Sequence, residues 1–297
     1  MAERRGHVVV VGDALIDEIH DEAGVRDVVG GAALNVAVGL TRLGVPTTLI
    51  AMVADDTDGA AVRAFVERFG VRLVATPAPR GTARAIATKA DGEARYLFNE
   101  AAANRAIDFG GPAREALDAA PLVVVSCYPF DRDDLTDALL EAVADPGERL
   151  VVDPNPRPAL MSDLPAFVRN LDRVASAVRL VKIGDEDAAL LYGTDLDDAA
   201  RRLHDGGARS VLATAGRRGA ALHLPEGRLD VPVADLPGPI VDTIGAGDAT
   251  LAAITDALLR ADREGGGDAL YWEAALQNAM IIAAATCRSE GPLLQLP

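Results

Sequence analysis

Lysine is nearly missing: Lys89 and Lys182 are the only two in 297 residues, and arginine supplies the rest of the 29 basic side chains. Against 45 acidic residues the formal charge is −16, which repels a phosphodiester backbone and an anionic membrane surface alike, so neither is an expected partner. Any phosphate chemistry has to rest on arginine, backbone amides or a metal ion. Cysteine is scarce as well. Cys127 and Cys287 are too few for a disulfide framework and lack the paired spacing of a zinc site, which fits a reducing, cytoplasmic setting. The histidines His7, His20, His204 and His223 include no pair at i, i+4, so a structural zinc site is not expected. Long apolar runs are also absent. The opening MAERRGHVVVVGDALID holds only Val8 to Val11 as an apolar core, and Met280 to Cys287 falls far short of membrane-spanning length, so neither an export signal nor an anchor is expected. No G-x-S-x-G elbow points to a hydrolase. The single tryptophan, Trp272, reads as core packing.

What the chain has is bulk: 49% hydrophobic residues, enough to bury a sizeable core as one large domain with a small appendage. Val8 to Val11 reads as a strand buried on both faces. Leu34 to Leu43 follows as a helix closed by Gly44, Thr47 to Val53 as a strand, Ala60 to Phe69 as a helix closed by Gly70, and Val71 to Ala75 as a strand. That alternation has the length of βαβ units and predicts a mostly parallel sheet. The rhythm breaks between Thr76 and Asn104, where small and polar residues alternate around Asp91-Gly92 as in a half-exposed hairpin, and Ile16 to Val29 is assigned to the same small sheet. The α/β pattern then returns. Strands are predicted over Leu122 to Ser126, Leu150 to Asp153, Arg179 to Ile183 and Ser210 to Thr214, and helices over Asp133 to Ala144, Asp185 to Tyr192, Thr250 to Ala261 and Leu270 to Thr286.

One stretch carries chemistry. In VDTIGAGDAT, Val241 to Thr250, the residues Thr250, Leu251, Ile254, Leu258 and Leu259 continue at helical spacing, so Gly245, Ala246 and Gly247 stand at a helix N-terminus. Such an end offers unpaired N–H groups and a partial positive charge to anionic oxygens. Asp248 in the first turn is either a carboxylate offsetting the dipole or a general base beside a phosphate cradle. A P-loop would need a lysine here and a dinucleotide fingerprint a third glycine where Thr250 stands, so both common glycine-rich assignments fail. Asp13 and Asp17 follow the first buried strand, at the carboxyl end where open α/β sheets bind ligands.

The segment D-T-x-G-A-G-D, Asp242 to Asp248, resembles the signature of the ribokinase-like sugar kinases, the phosphofructokinase B-type family. VVVVGDALID (Val8 to Asp17), GGAALNVAVGLTRLG (Gly30 to Gly44), DPNPR (Asp153 to Arg157), TAGRRGA (Thr214 to Ala220) and AAATCRSEG (Ala283 to Gly291) extend the resemblance over nearly the whole chain. It implies a three-layer α/β sandwich with a mostly parallel central sheet: a core of residues 1–13, 31–75 and 104–297, and a small β lid of residues 14–30 and 76–103. It further implies transfer of the γ-phosphoryl group of ATP, with Mg2+, to a primary hydroxyl of a neutral sugar, fructose first. A 2-keto-3-deoxy sugar acid, ribose or a nucleoside stands as an alternative acceptor, and a sugar-binding regulator without turnover is the alternative of another class.

Residue by residue, the resemblance makes Asp248 the base, the amides of Gly245, Ala246 and Gly247 the cradle, and Arg157 a cation near the phosphates. Asp13, Asp17, Gly30, Gly31, Asn35 and Asn104 are the implied sugar contacts. Lys182, Asp187, Thr214, Gly216, Gly219 and Ala279 are the implied ATP contacts. Asp242, Thr243, Ser289 and Gly291 match the region of a monovalent cation, K+, and the lid implies a homodimer. The chain departs from the family at KIGDED, Lys182 to Asp187, where an Asn-x-x-Glu segment is usual and Gly184 and Asp187 stand instead. YLFNEAAAN, Tyr96 to Asn104, lacks the arginine of acid-sugar kinases, which favours a neutral acceptor.

Overall fold

Val8–Gly12 (β1), Thr47–Met52 (β4), Leu122–Ser126 (β8) and Leu150–Asp153 (β9) are short, largely apolar runs in which every residue is buried. Strands of that kind need cover on both faces. The computed structural model describes residues 6–21, 24–90 and 93–297 and supplies that cover. Between β1 and β4 come Leu15–Asp21 (β2), Gly24–Gly30 (β3) and Ala32–Arg42 (α1); Thr57–Arg68 (α2), Arg72–Thr76 (β5), Ala83–Ala90 (β6), Glu93–Phe98 (β7), Glu100–Ala103 (α3) and Gly111–Ala119 (α4) lead to β8. Asp133–Ala142 (α5) and Pro146–Arg149 (α6) precede β9, and Leu164–Ala175 (α7), Leu180–Gly184 (β10), Asp185–Tyr192 (α8), Leu196–Asp205 (α9) and Val211–Thr214 (β11) follow it. Ala220–Leu224 (β12), Gly227–Val231 (β13), Ala246–Glu264 (α10) and Ala269–Thr286 (α11) complete the chain.

Nine strands form one sheet in the order β13-β12-β11-β10-β9-β8-β1-β4-β5, in which β12 alone runs against the rest and pairs antiparallel with β11 and β13. Alternate residues of β1 feed opposite layers. Val8 and Val10 join the cluster that α1, α10 and α11 cover, while Val9 and Val11 join the cluster that α4, α5, α7 and α9 cover. From β1 the chain first winds outward through β4 and β5, then returns to β8 on the other side and winds the opposite way. Between β1 and β8 the strand order therefore reverses, and the crevice beyond their carboxyl ends is where such a sheet accommodates ligands.

Four strands make a second, small sheet in the order β3-β2-β6-β7, over those same carboxyl ends. The β6/β7 hairpin is present, although its tip, Asp91-Gly92, lies outside the described residues. Leu15, Ala83, Ala85 and Ala102 form its own apolar cluster. Two polar junctions fix it to the core. Asp56 caps α2 through Gly59 N at 2.7 Å and also accepts from Thr82 N and Oγ1, while Arg84 of β6 donates to Glu18 of β2, Asp27 of β3 and Asp58 of α2 at 2.6–2.9 Å. Among the described residues no helix is long and apolar enough to cross a membrane, and Cys127 and Cys287 are free thiols.

Candidate active site

The reversal at β1 places Gly12 and Asp13 beside Ser126 and Cys127. Asp13 ties the crevice to α1: its Oδ1 accepts from Ala33 N at 2.9 Å and its carbonyl from Leu34 N at 3.2 Å. Gly31 caps that helix at φ 117°, and a Cβ there would stand 2.6 Å from Asp13 O; at Gly30 one would collide with Asp17 Oδ2. This pair of glycines lets α1 start against the crevice wall, and one turn later Asn35 points into it.

Asn35 meets the other helix that begins here. Its Nδ2 donates to Asp248 Oδ2 at 2.9 Å, in the first turn of α10, and its Oδ1 is buried with no partner. Asp248 is 8% exposed and carries no salt bridge among the described residues. Burial pushes its carboxyl up to about 7, an effect the Asn35 amide opposes and the charge of Asp153 reinforces. Gly245, at φ 79°, precedes it with the backbone of Pro292 packed where a Cβ would lie. Ala246 N donates to Thr243 O at 3.3 Å, so this amide has a partner already. The amides of Gly247 and Asp248 follow in the first turn, where a helix leaves its N–H groups without intrahelical partners.

Beneath that turn lies a second carboxylate that the sequence reading did not single out. Asp153, fully buried at the end of β9, accepts from Lys182 Nζ at 2.9 Å, and Lys182 itself is 6% exposed. The ammonium lies against the turn: a Cβ on Gly247 would be 3.4 Å from Nζ. Burial works against the charge of Lys182, but Asp153 and then Asp187 more than offset it and hold the ammonium above its ordinary value. Asp153 Oδ1 has no partner. The signal in the sequence was the aspartate ending LVVD, an acid where a buried apolar strand stops.

Beside this turn lies a narrow cleft, partly open to solvent and lined chiefly by apolar surface. Asp13, Leu15, Met52, Arg105, Cys127 and Tyr128 are among its lining residues. Asp17 stands nearby, its carboxyl pushed up to about 6 by burial and by Asp13 and held back by Arg157. Arg157 enters the same cluster from the turn after β9; its side chain keeps contact with solvent while Cys127, Asp13 and Asp248 surround it. The Cys127 thiol is pushed up to about 12 by burial and Asp13, and its backbone is left-handed at φ 53°. Asn104 stands outside this group: it is exposed, and its Nδ2 donates to Glu100 O in a local turn. Its neighbour Arg105, absent from the sequence reading, lines the cavity instead.

On the far side of the α10 turn the ends of β10 and β11 meet. Thr214 Oγ1 donates to Ile183 O at 3.4 Å, Asp187 Oδ2 accepts from Gly184 N at 2.9 Å, and Gly216 and Gly219 shape the turn into β12 with φ 52° and 96°. One expected nucleotide contact has to be corrected. Ala279 has no exposed surface, because that face of α11 is packed into the core cluster, and it has none to offer a ligand. Asp242 and Thr243 lie beside the segment from Cys287 to Pro292, with Asp242 N donating to Cys287 O and Ser289 N to Thr286 O. No cluster of three or more His, Cys, Asp or Glu suited to a metal occurs among the described residues. The acids present fit a divalent ion that arrives on phosphate oxygens and needs one protein carboxylate, since Mg2+ commonly binds in that way.

A buried carboxylate at a helix N-terminus, glycines above an ammonium and a cleft beside them are parts from which a phosphoryl-transfer site can be built. The profile described as "pfkB family carbohydrate kinase" matches residues 5–297. The chain belongs to this family. It is a carbohydrate kinase, a phosphotransferase with the ribokinase-like α/β fold. Fructokinase from Rhizobium leguminosarum bv. trifolii is 30% identical over 267 residues, covering 84% of this chain and 79% of the relative. Among solved structures, fructokinase with bound ATP from Xylella fastidiosa superposes with a TM-score of 0.82 at 21% identity, covering 97% of this chain and 94% of that one. A double mutant of fructokinase from Vibrio cholerae O395 in fructose, ADP and potassium ion bound form gives 0.78 at 19% identity, covering 99% and 96%.

Proposed function

We propose that this sugar kinase transfers the γ-phosphoryl group of ATP to a primary hydroxyl of a neutral sugar, with fructose as the first acceptor. The observation that carries the reading is the Asn35–Asp248 pair. A carboxylate in no direct ion pair, held near neutrality and oriented by one amide, is suited to accept a hydroxyl proton, while the unpartnered Asn35 Oδ1 offers the same hydroxyl group's neighbour a hydrogen-bond acceptor. Asp248 orients the attacking hydroxyl and takes its proton late, because phosphoryl transfer is loose. The amides of the α10 first turn and the Lys182 ammonium below them receive the charge of the transferring group; each well-aimed donor of this kind is worth about 3 kcal/mol. Mg2+, when bound, neutralises charge on the nucleotide phosphates, and Asp187 and the free oxygen of Asp153 are the carboxylate groups available to it, directly or through water.

Three further readings belong to this proposal. Residues 14–30 and 76–103 act as a lid that closes on the sugar, hinged where Asp56 and Arg84 join it to α2. Exposed Val25 and Leu97 on its edge strands support pairing with a second copy. A potassium ion occupies the region of Asp242, Thr243, Ser289 and Gly291, next to the packed turn of Gly245. The cytoplasm, with its reduced thiols, potassium and ATP, is the setting these features suit. The test is ADP release from magnesium ATP across free sugars, keto acids and nucleosides, with Asp248→Asn alongside. Turnover of fructose that the variant abolishes is expected; preference for a nucleoside or a keto acid would overturn the assignment of the acceptor.

A further inference from the structure

Arg105 follows the short helix α3 in an irregular segment that leads to α4. Its Nε is buried and has no hydrogen-bond partner, and no ion pair involves it among the described residues. An arginine that desolvates a donor without satisfying it is costly unless another group arrives to accept the bond. The place it occupies says which group. Arg105 lines the acceptor cavity with Asp13, Leu15, Ala83, Ala102 and Cys127, on the side of the small sheet, whereas the base Asp248 lies on the α10 side, next to Asn35 and Lys182. The remaining lining is chiefly apolar, including Met52, Ile107 and Tyr128, so few protein atoms are available to accept from that Nε. The charged groups around the cavity are Asp13, Asp17 and Asp248 against Arg105 and Arg157, and both guanidinium groups act on the Cys127 thiol. The acids match or outnumber the cations, so no surplus positive charge is left for an anionic acceptor to neutralise.

We propose that Arg105 is a specificity-determining contact for the acceptor, its Nε–H donating to a hydroxyl or ring oxygen of a neutral sugar at the end turned away from Asp248. The inference rests on the sugar-kinase reading of the site and adds to it the group that grips the non-reacting end. Because this bond exists before and during transfer alike, its loss raises KM for the acceptor and leaves kcat nearly intact.

Steady-state kinetics of the full chain with fructose and magnesium ATP, for the parent, Arg105→Met and Arg105→Lys, test it. In Arg105→Met the fructose KM rises roughly 10- to 100-fold, the range expected for a hydrogen bond from a charged donor. The KM for ATP, kcat and the melting temperature without sugar stay within about threefold or a degree or two. Arg105→Lys recovers part of the loss, and deoxy analogues of fructose locate the oxygen: the analogue lacking it reacts alike with parent and Arg105→Met. An unchanged fructose KM overturns the proposal, as does a loss shared by ATP affinity and melting temperature, which would make Arg105 structural. A parent that prefers a carboxylate-bearing sugar, with the preference erased in Arg105→Met, overturns the neutral contact in favour of an ion pair. If the parent turns over no sugar, the kinase assignment of fructose fails by itself, and calorimetric titration of fructose decides Arg105 separately: binding that is equal in both proteins, or absent from both, overturns its role.

Discussion

Two buried aspartates end up within one turn of each other in function but not in circumstance. Asp153 at the foot of the site faces an ammonium at 2.9 Å, and Asp248 at the top faces only an amide at the same distance. Burial raises the carboxyl of the first as well, but the Lys182 ammonium opposes that rise and itself lies against the Gly247 turn. The second has no ion-pair partner among the described residues, and desolvation outweighs the Asn35 amide and the field of Lys182 to lift it to about 7, where it can exchange a proton near neutral pH. In the proposed mechanism the same residue type thus serves as scaffold or as base according to whether a cation or an amide donates to it.

The sharpest way to break the contrast is to remove the proton acceptor. Asp248→Asn should lower kcat about 10²- to 10⁴-fold with little change in either KM, the range for losing a general base; a large KM effect with kcat preserved would deny Asp248 that role. Next in size is Lys182→Met, which leaves Asp153 buried without its cation. A destabilisation of about 3–5 kcal/mol in denaturant unfolding is expected, and adding Asp153→Asn should recover much of it, since no uncompensated charge then remains. Asn35→Ala sharpens the contrast from the other side. Without the amide that favours its ionised form, Asp248 should titrate higher, so the acidic limb of kcat/KM against pH, expected near pH 7 in the parent, moves upward by a fraction of a unit or more. The last effect is on stability. A carboxyl raised from 3.8 to about 7 on folding stabilises the fold below pH 4 and loses that contribution as pH climbs through 7. Asp248→Asn should therefore melt above the parent at pH 8, a gain of at most about 4 kcal/mol, and level with it near pH 4, the inverse of its effect on rate.

The parallel sheet was legible because its strands are apolar runs that end at glycine or aspartate, and Gly44 and Gly70 close α1 and α2 where the spacing expected. Starts were harder to see. The α2 cap, Asp56, sits in the polar stretch ADDTDG, which reads as loop until Thr82, 26 residues on, is known to share its carboxylate. Helices α4, α7 and α9 escaped because half of each faces water and their apolar residues, such as Phe167, Leu171 and Val174, are interleaved with charge. Within the site, the glycine turn and Asp248 were readable from helical spacing, and Asn35 from the resemblance. Asp153 could have been inferred from its position at a strand end. Arg105 could not, because an irregular segment without periodicity gives no sign of which way a side chain points. Ala279 went wrong for the opposite reason: α11 is apolar all round, so its spacing does not say which face is buried.

The hydrogen bond from Asn35 to Asp248 joins residues 213 apart in the chain. On the ribosome, α1 and the first strands emerge long before α10 exists, so a nascent chain carries half of an acceptor site with no base over it. On the proposed role of Asp248, catalytic competence arrives only when the last helices dock beside α1. Until that moment the growing polypeptide has no assembled means of spending nucleotide, and any product truncated before residue 248 stays inert for the same reason.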